Sequence, residues 1–333
     1  MSTGLPWTSR AMTRLAALIS LTILWVAAAN GQNPVNAEVH ALHVQGKVHM
    51  LTGTGGNVTV QVGDDGVLVV DTGVERTSPK LIAAIREIAR GKPIRYIVNT
   101  HFHPDHTGGN AAIAAAGEQI VAGNFAAQVT MRTGGESRAF ILAHENTLNH
   151  FVSPPSGKPL PQEAWPTDTF FVDRKDLYFN GESIILLRQP NAHTDGDIIV
   201  HFRGSDIVAT GDLYINTTYP FIDRTNGGNI NGIIDALNNI LDITVPADKQ
   251  EGGTYVIPGH GRLADEADVV EYRDMLTIIR DRIQDMIRRG MTLEQVKAAR
   301  PTRDYDGRYG AATGIVTTEG FVENVYAGLR ERK

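Results

Sequence analysis

Thr100-His101-Phe102-His103-Pro104-Asp105-His106-Thr107-Gly108-Gly109-Asn110 decides how the rest of the chain is read. Three histidines and an aspartate fall within residues 101–106, in a chain with 11 histidines among 333 residues. Composition alone would put His-x-His-x-Asp-His into about one such chain in a thousand. Packing needs no such density, so the cluster predicts metal ligands. It follows Pro93 and the apolar run Ile94 to Asn99, which reads as a strand. Upstream, Gly66-Val67-Leu68-Val69-Val70 reads as a buried strand ending in Asp71-Thr72-Gly73. Between the two, Ser78 is expected to cap a helix with Pro79 at its first position and Gly91 at its end. Strand, helix, strand and loaded loop make a βαβ unit with its chemistry at a strand's C-terminal end.

On an extended loop His101 and His103, two residues apart, point to one side. Asp105 and His106 come after the Pro104 turn and address a neighbouring ion. One loop therefore reaches two metals but supplies too few ligands for either. Three other residues stand at the ends of predicted strands: His193 after Ser183–Leu187, Asp212 after Ile207–Thr210 and His260 after Thr254–Ile257. Imidazole and carboxylate donors suit zinc, with iron or manganese as alternative occupants.

The remaining pattern is that of an α/β layer protein. Val39–Leu51 and Val58–Val62 alternate as antiparallel strands, and His40, His43 and His49 on them read as ordinary strand residues. Helical patterns cover Gly109–Ala116, Asn124–Arg132 and Arg138–His150, with Gln119–Ala122 as an apolar run between the first two. Ser153–Thr169 carries five prolines and reads as an irregular excursion. Helices are expected at Asn229–Ile243, Asp265–Arg289, from the Thr292 cap onward, and at Gly320–Leu329. His144, His150 and His201 match no motif and read as structural.

Composition excludes several classes. The net charge of −6 and a pI near 6 leave no basic footprint for nucleic acid or an anionic membrane. Cysteine is absent, which removes disulfides, thiolate ligands and a thiol nucleophile. Arg10 and Arg14 precede the apolar segment Leu15–Ala29, which is followed by small and then polar residues. Residues 1–31 are therefore expected to be a secretory signal, cleaved after Ala29, Gly31 or Ala37. Its apolar core of about 15 residues is shorter than the ~20 that a spanning helix needs, so no stable anchor is expected after cleavage. The mature protein would be secreted or periplasmic.

HFHPDH, Asn191-Ala192-His193-Thr194, Gly211-Asp212 and Pro258-Gly259-His260-Gly261 resemble the ordered motifs of the metallo-β-lactamase-fold hydrolase superfamily, and Asp71-Thr72-Gly73 resembles its first motif. The resemblance runs from about Val39 to Arg262. It implies an α/β fold, an αββα sandwich of two mixed β-sheets flanked by helices, with the metal site at one edge. One domain over residues 38–333 would then end in a helical extension from about residue 264. Carried over residue by residue, His101, His103 and His193 would hold one zinc, and Asp105, His106 and His260 a second. Asp212 would bridge both, and Asp71 would stand behind the ligands without touching metal.

A bridging aspartate is similar to the glyoxalase II type of site, and departs from β-lactamases that place a cysteine there. The C-terminal stretch resembles exported lactamase-like and quinoprotein-relay-like members. The implied activity is hydrolysis, with a metal-bridged hydroxide attacking an ester, thioester or lactam carbonyl of a small molecule while Asp105 orients it. A β-lactamase proper and a mononuclear-iron sulfur dioxygenase are the alternatives within the fold. Tyr214, Asn216, Tyr219 and Arg262 are expected on a substrate rim.

Overall fold

The computed structural model describes residues 38–331 except 120–136, 155–156, 158 and 250–251. The expected signal segment, the helix at Asn124–Arg132 and most of the run at Gln119–Ala122 thus lie outside the described residues. Among the described residues, no helix is long and apolar enough to cross a membrane.

Two mixed sheets face each other. The first holds β1 (His40–Gln45), β2 (Val48–Thr54), β3 (Gly56–Gly63), β4 (Gly66–Val70), β5 (Ile94–Val98), β6 (Phe140–His144) and β7 (Asp168–Phe170), in sequence order. Its first four strands form an antiparallel meander, and β4 to β7 run parallel. The second holds β8 (Arg174–Phe179), β9 (Glu182–Arg188), β10 (Ile198–Phe202), β11 (Ile207–Ala209) and β12 (Tyr255–Ile257). These are antiparallel neighbours except for the parallel pair β11–β12.

The pleat explains the layers. Side chains alternate between faces, so Leu68 and Val70 of β4 enter the space between the sheets while Val67 and Val69 face outward. The inner layer joins Val48, Met50, Val98 and Leu142 to Ile184, Leu186, Ile198, Val200 and Phe202. On the outer face of the first sheet, Leu81 and Ile85 of α1 (Ser78–Ala89) pack on Val67, Val69 and Ile97. One-turn α2 (Pro104–Thr107), then α3 (Asn110–Ala115) and α4 (Glu145–Val152), complete that side. Over the second sheet lie α5 (Ile230–Ile243), α6 (Glu266–Arg288), α7 (Leu293–Ala299), α8 (Asp306–Tyr309) and α9 (Thr318–Arg330). They bury Ile233, Leu237, Tyr272, Leu276, Ile279 and Phe321 against Ile199, Val208 and Val256. Each such side chain contributes about 1.5–3 kcal/mol of burial. The expected αββα sandwich of two mixed sheets is what the chain forms.

Local readings are corrected in three places. Arg138–His150 is not one helix: Phe140–His144 is β6 and the helix begins at Glu145. A parallel strand buried on both faces is a continuous apolar run, which periodicity cannot tell from a helix segment. Ser78 is the first helical residue and not the cap, while Thr77 gives its hydroxyl to Val74 O. The excursion after Ser153 holds a 3-10 turn at Gln162–Ala164, and its last residues enter a strand, since Asp168–Phe170 pairs with β6. The Thr292 cap forms as expected, as a reciprocal box with Gln295.

Candidate metal centre

Topology gathers the site at one edge. Strands β4 and β5 are parallel, so Asp71 and residues 101–106 leave the first sheet side by side. In the second sheet β9, β11 and β12 share a direction, so His193, Asp212 and His260 emerge together. Backbone bonds lock the two edges: Ile198 N donates to Thr100 O at 2.9 Å, and Asn57 N donates to Gly259 O at 2.7 Å.

The seven predicted ligands fall into two groups, each with its donor atoms within 4.8 Å of one another. One is His101, His103, His193 and Asp212; the other is Asp105, His106 and His260. Asp212 faces both. Its Oδ2 lies 3.8 Å from His193 Nε2, while Oδ1 lies 3.1 Å from His106 Nε2 and 3.4 Å from His260 Nε2. Asp105 Oδ2 stands 3.2 Å from His260 Nε2. Gly211, at φ 52°, permits the turn that presents Asp212; a β-carbon there would lie 2.4 Å from Thr100 Oγ1.

Hydrogen bonds behind the ligands fix which ring nitrogens are free. Phe221 O can only accept, so His193 donates Nδ1–H to it at 2.8 Å and keeps a lone pair on Nε2. The Asp223 carboxylate accepts from His103 Nε2 at 3.0 Å, leaving the His103 lone pair on Nδ1. Thr100 donates its hydroxyl to Asp71 Oδ2 at 2.8 Å and so accepts from His101 Nδ1 at 3.0 Å. His103 Nδ1 and His193 Nε2 thus turn lone pairs toward each other at 2.9 Å. Buried His101 Nε2 has no hydrogen-bond partner. Converging acceptors without a donor repel one another, and a cation between them removes the conflict. The residues fit a metal.

Asp71 serves the second group. Its Oδ2 accepts from His106 Nδ1 at 2.8 Å, and its Oδ1 accepts from Thr100 N at 2.8 Å. That reach requires φ 61° at Asp71, a left-handed conformation that non-glycine residues adopt at a cost of order 1 kcal/mol. It contacts the predicted ligand His106 and the Thr100 backbone, and is in neither ligand group.

Charge divides the imidazoles. Burial, reinforced by His106, His193 and His103, holds His101 well below its ordinary value, and burial also lowers His193. Burial would lower His260 too, but Asp212 and Asp105 overcome it and raise the ring to about 10. His106 goes well above its ordinary value in the same way, through Asp212, Asp105 and Asp71. Burial pushes Asp105 upward, yet His106 and His260 carry its carboxyl down to about 2. In the metal-free chain, protons on His106 and His260 occupy the place of a cation. Zinc uptake near pH 7 should therefore expel on the order of two protons per chain. Affinity should climb with pH toward 10, as proton competition at His260 fades. Calorimetry in two buffers of different ionisation enthalpy reads the number; zero proton release would contradict this charge assignment.

The expected rim is largely not a rim. Tyr214 and Tyr219 are fully buried, because the chain after Asp212 dives beneath the C-terminal helices. The Tyr214 ring meets Tyr272 edge-on at 5.2 Å, and Tyr219 stacks on Phe321 at 4.6 Å. Asn216 holds the backbone of Arg262, accepting from its N at 3.1 Å and donating to its O at 2.7 Å. Arg262 is exposed but bound to Asp268, with Nη1 donating to Oδ2 at 2.8 Å. Two residues had no signal in the sequence. Asp223 lies in no motif and meets His103 across 120 positions. His150, read as structural, stacks on Phe102 at 3.9 Å and donates from Nε2 to Asp195 at 2.8 Å, beside His103.

Comparison with known proteins agrees with this geometry. The sequence profile described as "Metallo-beta-lactamase superfamily" matches residues 51–260. A linear primary-alkylsulfatase of Pseudomonas sp. (strain ATCC 19151) is 26% identical over 261 residues, which is 70% of this chain and 47% of that protein. Among solved structures, the stereoselective inverting sec-alkylsulfatase Pisa1 from Pseudomonas sp. superimposes with a TM-score of 0.64 at 15% identity, covering 87% of this chain and 50% of its own. The DIM-1 metallo-beta-lactamase gives 0.51 at 19% identity, covering 72% and 97%. The chain spans about half the length of the alkylsulfatases that it matches.

Proposed function

This chain belongs to the metallo-beta-lactamase superfamily, and from that premise we propose that it is an exported hydrolase whose two ligand groups each hold a zinc ion. The observation that carries the reading is Asp212, one buried carboxylate within reach of both groups. His101, His103 and His193 would hold one ion and Asp105, His106 and His260 the other, with iron or manganese as alternative occupants. Two such ions would supply a water acidified to near pKa 7 and a sink for developing negative charge.

The chain's own residues then position and protect. Asp105 is the most exposed carboxylate of the seven, with 37% of its side chain accessible, so it can accept a hydrogen bond from an attacking water and orient it. His101, His106 and His193 are fully buried, which keeps bulk water from the donors they share. Asp71 and Thr100 hold the rings in place, so the site is preorganised before substrate arrives. The substrate class we favour is a small molecule with an ester, thioester or lactam carbonyl. A sulfate ester is the second reading, favoured by the 26% identity to a linear primary-alkylsulfatase. Export, to the periplasm or beyond, rests on the N-terminal segment.

The test is turnover by the zinc-loaded protein across a chromogenic cephalosporin, thioesters, lactones, an aryl phosphodiester and a linear alkyl sulfate. Hydrolysis of a carbonyl substrate, lost in Asp105→Ala and His103→Ala with the fold intact, is the expected result. Release of inorganic sulfate alone would move the assignment to sulfate esters. One iron per chain with no hydrolysis would point to the dioxygenase chemistry of the fold and overturn the proposal.

A further inference from the structure

We infer that Asp223 is a positioning residue that sets how tightly the first ligand group holds its metal, and that the C-terminal helices act on that group through the segment Tyr219–Asn226. The inference rests on the metal reading above and concerns which part of the chain tunes it.

Three of the seven predicted ligands are steadied by residues of the β4 and β5 ends or by their own turn. His101 and His106 lean on Thr100 and Asp71, which stand beside them at the ends of β5 and β4. Asp212 is presented by the turn at Gly211. His103 and His193 differ, because the groups that fix their rings both come from one loop between Asp212 and α5. Phe221 O takes His193 Nδ1–H, and Asp223 Oδ2 takes His103 Nε2–H. The backbone completes the clamp, with Asp223 N donating to His193 O at 3.1 Å and Asn229 N donating to Ala192 O at 2.8 Å. Asp223 is itself buried and held, accepting from Asn226 Nδ2 at 2.7 Å and Asn226 N at 3.2 Å.

The loop is in turn pinned from the far side. Tyr219 N donates to Tyr309 O at 3.2 Å, and its hydroxyl reaches Thr302 O at 3.2 Å and Asp306 at 3.0 Å. Its ring lies 3° from parallel with Phe321 of α9. Asp223 stands four positions on from this anchor. A carboxylate at His103 Nε2 does two things: it keeps the proton off Nδ1, and it makes Nδ1 a stronger donor to a cation. Without it the imidazole can place its proton on Nδ1, where it blocks the metal.

Binding of Zn²⁺ tests this in a His260→Ala background, which leaves the first group with its full set of ligands. Competition with a chromogenic chelator gives the affinity, and imidazole N–H proton resonances give the tautomer. Asp223→Asn keeps the side chain's volume, and should weaken Zn²⁺ by about 10–100-fold while the His103 Nε2–H signal is lost and the His193 Nδ1–H signal stays. Asp223→Glu should recover part of the affinity, and Tyr219→Phe should weaken it less than Asp223→Asn does. Thr225→Ala, exposed on the same loop, should leave it unchanged. Affinity within twofold of the parent in Asp223→Asn, or equal losses in Thr225→Ala, would overturn the inference while the metal reading stands. A wild-type chain that takes up no Zn²⁺ would instead remove the metal reading itself.

Discussion

If the proposed two-zinc site holds, Asp212→Ala is expected to cut kcat/KM by at least about a thousandfold, roughly 4 kcal/mol of barrier, and to drop bound zinc from two ions per chain to less than one. No other carboxylate of the seven can compensate. Asp105 is far enough toward solvent that its nearest imidazole contacts are His260 at 3.2 Å and His106 at 3.8 Å, both in its own group. Removing Asp212 also strips the largest attraction that keeps His106 and His260 protonated in the metal-free chain. Both rings should then titrate lower, so the remaining metal would bind with fewer protons expelled. Metal analysis beside steady-state kinetics checks the result. A variant that kept two ions and near-parental turnover would show that the two groups do not share this carboxylate.

Gly259→Ala is expected to be nearly as damaging, although it adds a single methyl group. A β-carbon at residue 259 would fall 2.0 Å from Asp212 Oδ1, 2.6 Å from Gly211 C and 2.8 Å from Asp212 N. Neither side can retreat cheaply. Gly259 N donates to Gly211 O at 2.9 Å and Tyr214 O at 3.1 Å, and Gly259 O accepts from Asn57 N at 2.7 Å. Overpacking of this kind costs about 1–3 kcal/mol, and here it must be relieved by moving the shared carboxylate. Melting temperature, zinc content and turnover should all fall, turnover by about a hundredfold or more. Gly307→Ala is the control, since nothing lies within 4 Å of a β-carbon there. If both variants matched the parent protein, the close approach at Gly259 would be without consequence.

The histidine loop was legible because metal chemistry restricts residue types and spacing at once. His193, Asp212 and His260 were legible as residues placed after apolar runs, and the shared direction of β9, β11 and β12 shows why strand ends were the place to look. What failed depended on parts of the chain far away. Whether Tyr214 and Tyr219 face solvent is decided by Tyr272, Tyr309 and Phe321, which come 58 to 102 residues later and leave no mark on the local pattern. Asp223 could not be told from any other loop aspartate until the fold set it against His103. Strand β6 was missed for a local reason, since Phe140-Ile141-Leu142-Ala143 is apolar on both faces.

Each sheet is made from one uninterrupted half of the chain, β1 to β7 and then β8 to β12. The ligands divide along that seam: His101, His103, Asp105 and His106 belong to the first half, and His193, Asp212 and His260 to the second. Metal held between them would therefore be a cross-link between halves, joining His106 to His260 across 154 positions of sequence. In a chain with no cysteine, such coordination would take the place that a disulfide fills in restricting the unfolded ensemble. On the proposed function, the same atoms that prepare a reaction would also rivet the sandwich at its edge.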